Sequence, residues 1–379
     1  MASVARIAYL SVRDFRNLAN VELSPPAEGL VVVGENGQGK TNLLEAVYYF
    51  QILRSVRGAR DQDLVRFGAD AFHLAATVDT DRCHEIGIGF ERATKRKRVR
   101  LDGDIPERLS DALGALPSVM FSPADVELIA GSPTARRRFL DIVLALTTPG
   151  YLVALQRYRA ALVRRNAALR ESSRAGRAST ASVAVWEPAL AENGAALMRE
   201  RLAWVSVVAD PFERLCSEIG ETARVRVRYS SSLDLDSISA DALSAAFAAK
   251  RGHDVKRGLT HVGPHRDDLA ITIAGDDGTA RELRTFGSAG QQRTAAIALR
   301  MLEARTFAER TSRTPVFLLD DPFAELDVRR SANVLSLLSR DGLGQTILAV
   351  PRESDIPSEF TGLARTRVVA GRVDRVEAA

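Results

Sequence analysis

The chain has little cysteine, few aromatic residues and no long apolar run. Its 379 residues include only two cysteines, Cys83 and Cys216, which are too few for a disulfide framework or a zinc site in a protein of this size. No apolar run approaches the roughly 20 residues that span a bilayer. Residues 1–10 also lack the apolar segment of a secretory signal. We therefore expect a cytoplasmic protein with no membrane partner.

A strong charge imbalance is also missing. The 52 basic and 48 acidic residues give a net charge of +4, which permits contact with nucleic acid but does not require it. Such binding depends on how the basic residues cluster. The hydrophobic fraction of 46% is ordinary for a globular protein, so the chain can bury a sizeable core.

Strand patterns occupy both ends of the chain, and a helical pattern occupies the middle. Residues 1–120 and 224–379 contain short β-branched runs, whereas residues 121–223 are rich in Ala, Leu and Arg. Leu190, Leu197 and Trp204 recur every seven residues, and a polar loop at 171–182 precedes them. This pattern predicts either two antiparallel helices packed as a short coiled-coil stump, about 30 Å long, or an ordinary helical subdomain.

A glycine-rich loop follows a predicted buried strand at Leu30–Val33 and opens a predicted helix. It fits the pattern G-x-x-x-x-G-K-[ST], in which backbone N–H groups surround phosphates. Lys40 would reach the β- and γ-phosphates of ATP, and the Thr41 hydroxyl would bind Mg²⁺. The ATP-binding residues predicted from this pattern are Gly34, Glu35, Asn36, Gly37, Gln38, Gly39, Lys40 and Thr41.

A second acidic element agrees with this prediction. Residues 316–321 read VFLLDD, an apolar strand that ends in two carboxylates. A strand beside the loop's own strand would bring Asp320 close to Mg²⁺. Asp321 could then polarise the attacking water, so Lys40, Asp320 and Asp321 are the predicted catalytic residues.

A third element suggests that two chains share one site. Residues 287–293 read GSAGQQR and open another predicted helix, with Ser288 at or near its N-cap. Its free N–H groups form a second anion site, which we expect to serve the ATP of a second subunit through Ser288, Gly290 and Gln291. The segment 324–327, AELD, follows the twin carboxylates and ends at Asp327.

Together these motifs resemble the ABC-type ATPase heads of the SMC/Rad50 branch, with 324–327 as the D-loop. Further segments resemble the RecF family of bacterial recombination-mediator ATPases. These segments are DFRN at 14–17, FSP at 121–123, GSP at 131–133, RRRFLD at 136–141, HVGPHRDDL at 261–269 and GQQR at 290–293. The likeness covers nearly the whole chain and is least informative between residues 170 and 260.

The resemblance implies an α/β ABC-type head with a helical insertion. It further implies an ATP-dependent homodimer that binds DNA, double-stranded and single-stranded, at gap junctions. Members of the family help to load the recombinase RecA together with RecR and RecO, and they hydrolyse ATP slowly.

Two features depart from the pattern of ABC heads. These heads usually carry a switch histidine after the last core strand, but residues 346–351 read TILAVP. Hydrolysis is therefore expected to be weak. Pro322 follows the carboxylate pair and predicts extended geometry for Asp321.

Basic clusters supply the candidate DNA contacts. Arg96, Lys97 and Arg98 form the densest one, which equally fits a charged edge that prevents strand pairing. Arg136 and Arg137, at a predicted helix start, are further candidates. Arg57, with Arg54 and Arg60, could approach nucleotide or DNA.

Two other functions share part of this pattern. The nucleotide-binding subunit of a membrane transporter would have a P-loop, but it would typically keep the switch histidine and lack the helical insertion. A scaffold that holds ATP without turnover would not need the intact Lys40, Asp320 and Asp321. His261 and His265 are separated by Gly263-Pro264 and have no third ligand nearby, so no metal site is predicted there.

Overall fold

The protein is a mixed α/β molecule. The computed structural model describes residues 3–174, 180–275, 278–323, 326–340, 342 and 344–374. The strands are β1 Ser3–Val4, β2 Arg6–Phe15, β3 Leu18–Leu23, β4 Gly29–Val33, β5 Ala71–Asp79, β6 Glu85–Glu91, β7 Arg96–Leu101, β8 Ser118–Phe121, β9 Val225–Ser230, β10 Asp268–Ala274, β11 Ala280–Glu282, β12 Arg313–Thr314, β13 Val316–Asp320, β14 Thr346–Val350, β15 Ala364–Val369 and β16 Arg372–Val373. The helices are α1 Lys40–Ile52, α2 Glu127–Ala130, α3 Pro133–Thr147, α4 Tyr151–Arg174, α5 Thr180–Ala184, α6 Glu187–Ile219, α7 Ala240–Arg257, α8 Leu283–Phe286, α9 Ala289–Thr311 and α10 Val328–Arg340.

The chain divides into two compact units. The first contains residues 1–125 and 299–379, and the second contains residues 126–298. The three-part division predicted from the sequence (1–120, 121–223 and 224–379) stays a prediction about domains. Residues 224–298, which carry strand patterns, fall in the second unit together with the long helices.

A six-stranded sheet positions the candidate site in the first unit. Its order is β16-β15-β4-β14-β13-β8, and all neighbours are parallel except β15 and β16. Strands β4, β13 and β14 are buried at every position, as expected for a parallel sheet covered on both faces. Strand β14 lies between the P-loop strand β4 and the acidic strand β13, so these two are not direct neighbours.

A five-stranded antiparallel sheet, in the order β3-β2-β5-β6-β7, belongs to the same unit. Buried and exposed residues alternate along β5 and β6, so one face packs inward and the other is open. Phe15, Tyr49 and Phe72 meet on the inner face in edge-to-face pairs with centroids 5.3 to 6.1 Å apart.

The second unit is built on the long helices α4, α6 and α7. The 33 residues of α6 span about 50 Å at 1.5 Å per residue, which is longer than the 30 Å expected from the sequence. Leu190, Leu197 and Trp204 are buried, as their spacing predicted. Helix α7 contacts both α4 and α6, which favours the ordinary helical subdomain over a two-helix stump. A three-stranded sheet, β11-β10-β9, completes this unit.

The segment at 261–269 has a packing role. The His261 Nδ1 atom lies 2.8 Å from the Asp254 carboxylate. The His265 Nδ1 atom forms a hydrogen bond of 2.6 Å with the Tyr158 hydroxyl. Burial lowers the pKa of His265 to about 4. Gly263 has φ 115°, and a Cβ there would lie 2.6 Å from the Tyr158 hydroxyl, so only glycine fits. Within the described residues, no group of three or more His, Cys, Asp or Glu side chains is placed to hold a metal ion.

The cysteines and the longest apolar helices are the features that bear on disulfides and on membrane spans. Cys83 and Cys216 are both buried and free, as expected from their number. In the part of the chain that the structure describes, no helix has the length and apolar character needed to cross a membrane.

Candidate nucleotide-binding site

The predicted P-loop connects β4 to α1, as the sequence indicated. Gly37 and Gly39 have φ values of 82° and 123°, which side chains other than glycine rarely adopt. A Cβ on Gly39 would also lie only 2.9 Å from the Asn17 side-chain oxygen. The loop therefore needs glycine at both positions to curl tightly enough for its N–H groups to converge.

Three side chains predicted to act on phosphate meet at the carboxyl edge of the sheet. The Thr41 hydroxyl donates to the Asp320 carboxylate, with oxygens 2.8 and 3.0 Å apart. The Lys40 ammonium donates to the carbonyl oxygens of Gly34 and Glu35. Burial lowers the pKa of Lys40, although the charges of Asp320 and Asp321 act in the opposite direction. Burial also raises the pKa of Asp320, against the Thr41 hydrogen bond and the charge of Lys40.

Asp321 differs from its predicted conformation. Its φ is 45°, in the left-handed region, so the extended geometry predicted from Pro322 is wrong. The Asp321 N–H still donates to the Ala349 carbonyl at 2.9 Å, so the chain turns after the last ladder bond of β13. Asp320 and Asp321 both line a cavity of about 430 Å³ together with Asn36, Lys40 and Thr41.

A buried carboxylate beneath this cavity was not predicted. The Glu45 side chain is fully buried on α1 and accepts hydrogen bonds from Arg16, Arg57 and Ser55. Burial would raise the pKa of Glu45, but these hydrogen bonds hold it below its usual value. The signal available in the sequence was an acidic residue among apolar neighbours on a buried helix.

A wider cavity continues from the first. It has a volume of about 810 Å³ and shares Asn42 and Arg57 with the P-loop cavity. Arg16, Phe67 and Arg92 also line it. Phe67 is 95% exposed. Its place on this cavity was not predicted, because it lies outside every motif.

Two contacts from distant parts of the chain hold the loop in place. Asn17 donates to the Gln38 carbonyl at 3.1 Å and accepts from the Asn42 side chain at 2.8 Å. In the turn between β15 and β16, the N–H of Ala370 donates to the Gln38 side chain at 2.6 Å, and that of Gly371 donates to the Gln38 carbonyl at 2.9 Å.

The second predicted anion site begins α9 in the other unit. Ser288 accepts from the Gln291 N–H at 3.3 Å, and the Gln291 side chain accepts from the Ser288 N–H at 2.9 Å. This reciprocal pair is a capping box, so the N-cap prediction is confirmed. Ser288 is exposed and Gly290 is half-buried.

Asp327, the D-loop residue, lies just before α10. Its carboxylate accepts from the Arg330 N–H at 2.8 Å, which is the bond of a helix N-cap. Ala324 and Glu325, the other predicted D-loop positions, lie outside the described residues.

Some of the candidate DNA contacts are exposed, and others already bind carboxylates within the protein. Arg96 and Arg98 are exposed, whereas Lys97 points away from them and pairs with Asp61 at 2.8 Å. Arg136 is buried and binds both oxygens of Asp268 at 2.8 Å. The DNA contacts of Lys97 and Arg136 stay predictions, although both side chains already bind carboxylates of this chain.

Arg137 remains a candidate for DNA contact. It is half-buried and donates to the Asp267 carbonyl at 2.8 Å.

Comparison with known proteins agrees with this geometry. A family model described as the RecF/RecN/SMC N terminal domain matches residues 6–357. The chain belongs to the RecF family. The DNA replication and repair protein RecF of Chloroflexus aurantiacus is 36% identical, over 97% of this chain and 99% of the relative. RecF of Bacillus mycoides is 31% identical, over 97% and 98%. These full-length matches decide against the transporter alternative.

Solved structures confirm the fold class. The recombination mediator protein RecF-ATP in the RecFOR pathway superposes with a TM-score of 0.86 and 28% identity, covering 99% of this chain and 98% of that one. An Smc head domain derived from Pyrococcus furiosus, with an extended coiled coil, has a TM-score of 0.58 at 16% identity, over 99% and 96%. The RecF-family chain therefore has an SMC-like ATPase head fold with a long helical insertion.

Proposed function

We propose that this protein is an ATP-dependent DNA clamp ATPase of recombinational repair and replication restart. In this proposal, two copies close around ATP and bind duplex DNA near single-strand gaps. The bound clamp then promotes RecA loading together with RecR and RecO in the bacterial cytoplasm. Family membership supports the role in DNA repair, and the RecFOR context of the RecF structures supports the partners.

One observation carries the ATP assignment. Lys40, Thr41, Asp320 and Asp321 all line the same cavity, and the Thr41 hydroxyl lies 2.8 Å from the Asp320 carboxylate. The proposed role of Lys40 is to release its bonds to the loop carbonyls and bind the β- and γ-phosphates. The proposed role of Asp321 is to orient the attacking water.

The donor set fits Mg²⁺. Thr41 and Asp320 offer hard oxygen ligands, the type that this ion prefers, and the raised pKa of Asp320 marks a carboxylate whose burial a cation would offset. A bound Mg²⁺ would neutralise charge on the phosphate oxygens during transfer. The proposed binding and hydrolysis of ATP in one copy use Lys40, Thr41, Asp320 and Asp321.

The wider cavity is the proposed place of the nucleoside. Asn42, the third residue of α1, lines both cavities. ATP bound at the P-loop would therefore extend past its α-phosphate from the first cavity into the second. Arg16, Arg57 and Arg92 surround the entrance, and Phe67 offers a flat apolar face to the base.

Ser288, Gly290 and Gln291 are proposed to contact the γ-phosphate bound by a second copy, with Asp327 nearby. Ser288 is exposed at the start of a 23-residue helix, and the positive end of a helix dipole favours an anion. Slow, DNA-stimulated hydrolysis is proposed, because Val350 and Pro351 occupy the place where ABC heads usually carry a histidine.

Sedimentation velocity with a gapped duplex and a blunt duplex tests this proposal. With ATP, the protein should sediment as a dimer and carry more gapped than blunt DNA. Without ATP it should remain monomeric. Lys40→Arg should lose both effects, because a guanidinium does not fit the narrow loop. A wild-type protein that stays monomeric with ATP and binds neither DNA would contradict the proposal.

A further inference from the structure

Strand β7 presents a row of arginines at the edge of the five-stranded sheet. Arg96, Arg98 and Arg100 are exposed, while Val99 between them is 1% exposed. Because successive side chains of a strand point to opposite faces, the three guanidinium groups share the open face of the sheet. Alternate residues repeat about every 6.8 Å.

In the part of the chain that the structure describes, these arginines lack the carboxylate partner that some other exposed arginines have. Across the described residues, none of the three has a carboxylate partner within salt-bridge distance. By contrast, Arg224 and Arg226, before and on β9, both bind Glu213 at 2.8 and 3.2 Å. Like charges repel one another, so an unpaired row of arginines fits an anionic partner.

Strand β6 carries two glycines beside the row: the His73 ring lies close to Gly89, 3.1 Å from where a Cβ would be, whereas the space at Gly87 is open. Gly89 pairs with Arg98 on one side and His73 on the other, and His73 pairs in turn with Arg13. With strands about 4.8 Å apart, exposed Arg13 lies roughly 14 Å from Arg98 across this row. Gly87 pairs with Arg100, and a Cβ on Gly87 would meet only the Arg100 Cβ, at 3.9 Å. Glycine within a strand often marks the close approach of another backbone.

We infer that this open face binds the phosphodiester backbone of a nucleic acid strand. Arg96, Arg98 and Arg100 contact successive phosphates, and the open space at Gly87 lets the backbone lie against the sheet. The inference rests on the proposed DNA-binding function and assigns it a surface. The charge is complementary to phosphate, and single and duplex strands share this chemistry. The recognition is independent of sequence, because contacts to phosphate carry no base information.

The test compares two triple variants that remove the same charge. Arg96→Gln with Arg98→Gln and Arg100→Gln removes the row. Arg224→Gln with Arg226→Gln and Arg159→Gln removes three exposed arginines that are already paired with carboxylates. Binding of a fluorescent duplex and of a single strand is measured with ATP across a range of salt concentrations.

The row variant should bind duplex on the order of a hundredfold more weakly at 0.1 M salt, with the slope of log affinity against log salt reduced by about 2.7. On a single strand the slope should fall by about 2.1. The paired-arginine variant should stay close to wild type in both. ATP binding should be the same in all three proteins.

A second variant adds a side chain at Gly87, on the open face beside the arginine row, without changing the charge. Gly87→Val suits a strand and has open space around its Cβ, so it should fold normally and weaken DNA binding. The inference is overturned if the row variant and Gly87→Val bind DNA like wild type. Aggregation of the row variant with unchanged DNA affinity would show that the arginines only protect the sheet edge. Failure of the wild type to bind any DNA would instead refute the proposed function.

Discussion

At the residue scale, Phe67 has the clearest consequence for the site. It is 95% exposed on the wall of the wider cavity, where it offers an aromatic face but buries little of its own surface. Stacking of a base on an aromatic side chain is worth about 1–3 kcal/mol by alanine substitution. Phe67 therefore fits a nucleotide base better than it fits a solvent-exposed loop.

We predict that Phe67→Ala raises the Kd for ATP about tenfold. The Kd for inorganic triphosphate should stay unchanged, since that ligand contacts only the P-loop. Isothermal titration with the two ligands separates these effects. Ile105→Ala, which truncates another exposed apolar side chain, is the control and should leave both constants unchanged. Equal weakening of triphosphate binding would place Phe67 outside the nucleoside pocket.

Single residues also show what sequence patterns can reveal. The P-loop was recognisable because its chemistry depends on local spacing. Arg136 and Arg98 could not be distinguished, because the difference is the presence of Asp268, 132 residues away, beside only one of them. Phe67 was unpredictable for the same reason, since its exposure depends on the surrounding fold.

At the scale of helices and strands, Arg165 joins three helices of the second unit. The side chain is fully buried on α4 and binds Glu187 of α6 and Asp254 of α7, at 2.9 and 2.8 Å. Removing one partner of a buried ion pair typically costs 3–5 kcal/mol, because the remaining charges stay buried without compensation.

We predict that Arg165→Met lowers the free energy of unfolding by about 3–5 kcal/mol, measured by urea denaturation. Methionine preserves the length and apolar volume of the side chain, so the loss reports the charge. Arg164→Met is the matched control: the neighbouring arginine is exposed, lies over the Trp186 ring at 5.0 Å and should contribute only about 0.5–1 kcal/mol. Similar losses in the two variants would show that Arg165 does not hold the helices together.

The element types were largely predictable, and their partners were not. Strands β4 and β13 and helices α1 and α9 follow from apolar runs and caps that the sequence displays. The sequence does not show that β14 lies between β4 and β13, because β14 pairs with β4 through residues far apart in the chain, such as Gly29 and Thr346. The packing of α7 on the two long helices was hidden for the same reason.

At the scale of the whole molecule, the proposed composite site makes each copy depend on the other. A chain with Lys40→Arg keeps its Ser288, and a chain with Ser288→Arg keeps its Lys40. A dimer that combines the two contains one intact site and one doubly altered site. Closed two-fold symmetry permits no other combination.

Each variant alone should therefore hydrolyse ATP far below the wild-type rate. An equimolar mixture should hydrolyse ATP well above the rate of either variant, because only mixed dimers contain an intact site. Phosphate release measured for each variant and for the mixture gives the comparison. A mixture no more active than its components would show that Ser288 does not act on the ATP of a partner.

The order of the six-stranded sheet also bears on how the protein is made. Strand β4 and the P-loop are synthesised early, but both neighbours of β4 come from residues 346–350 and 364–369, and Gln38 is held by Ala370 and Gly371. During translation the loop must wait for more than 300 further residues before these partners leave the ribosome. A nascent chain thus cannot complete the nucleotide site, and ATP can act only on chains in which residues 346–371 have already emerged.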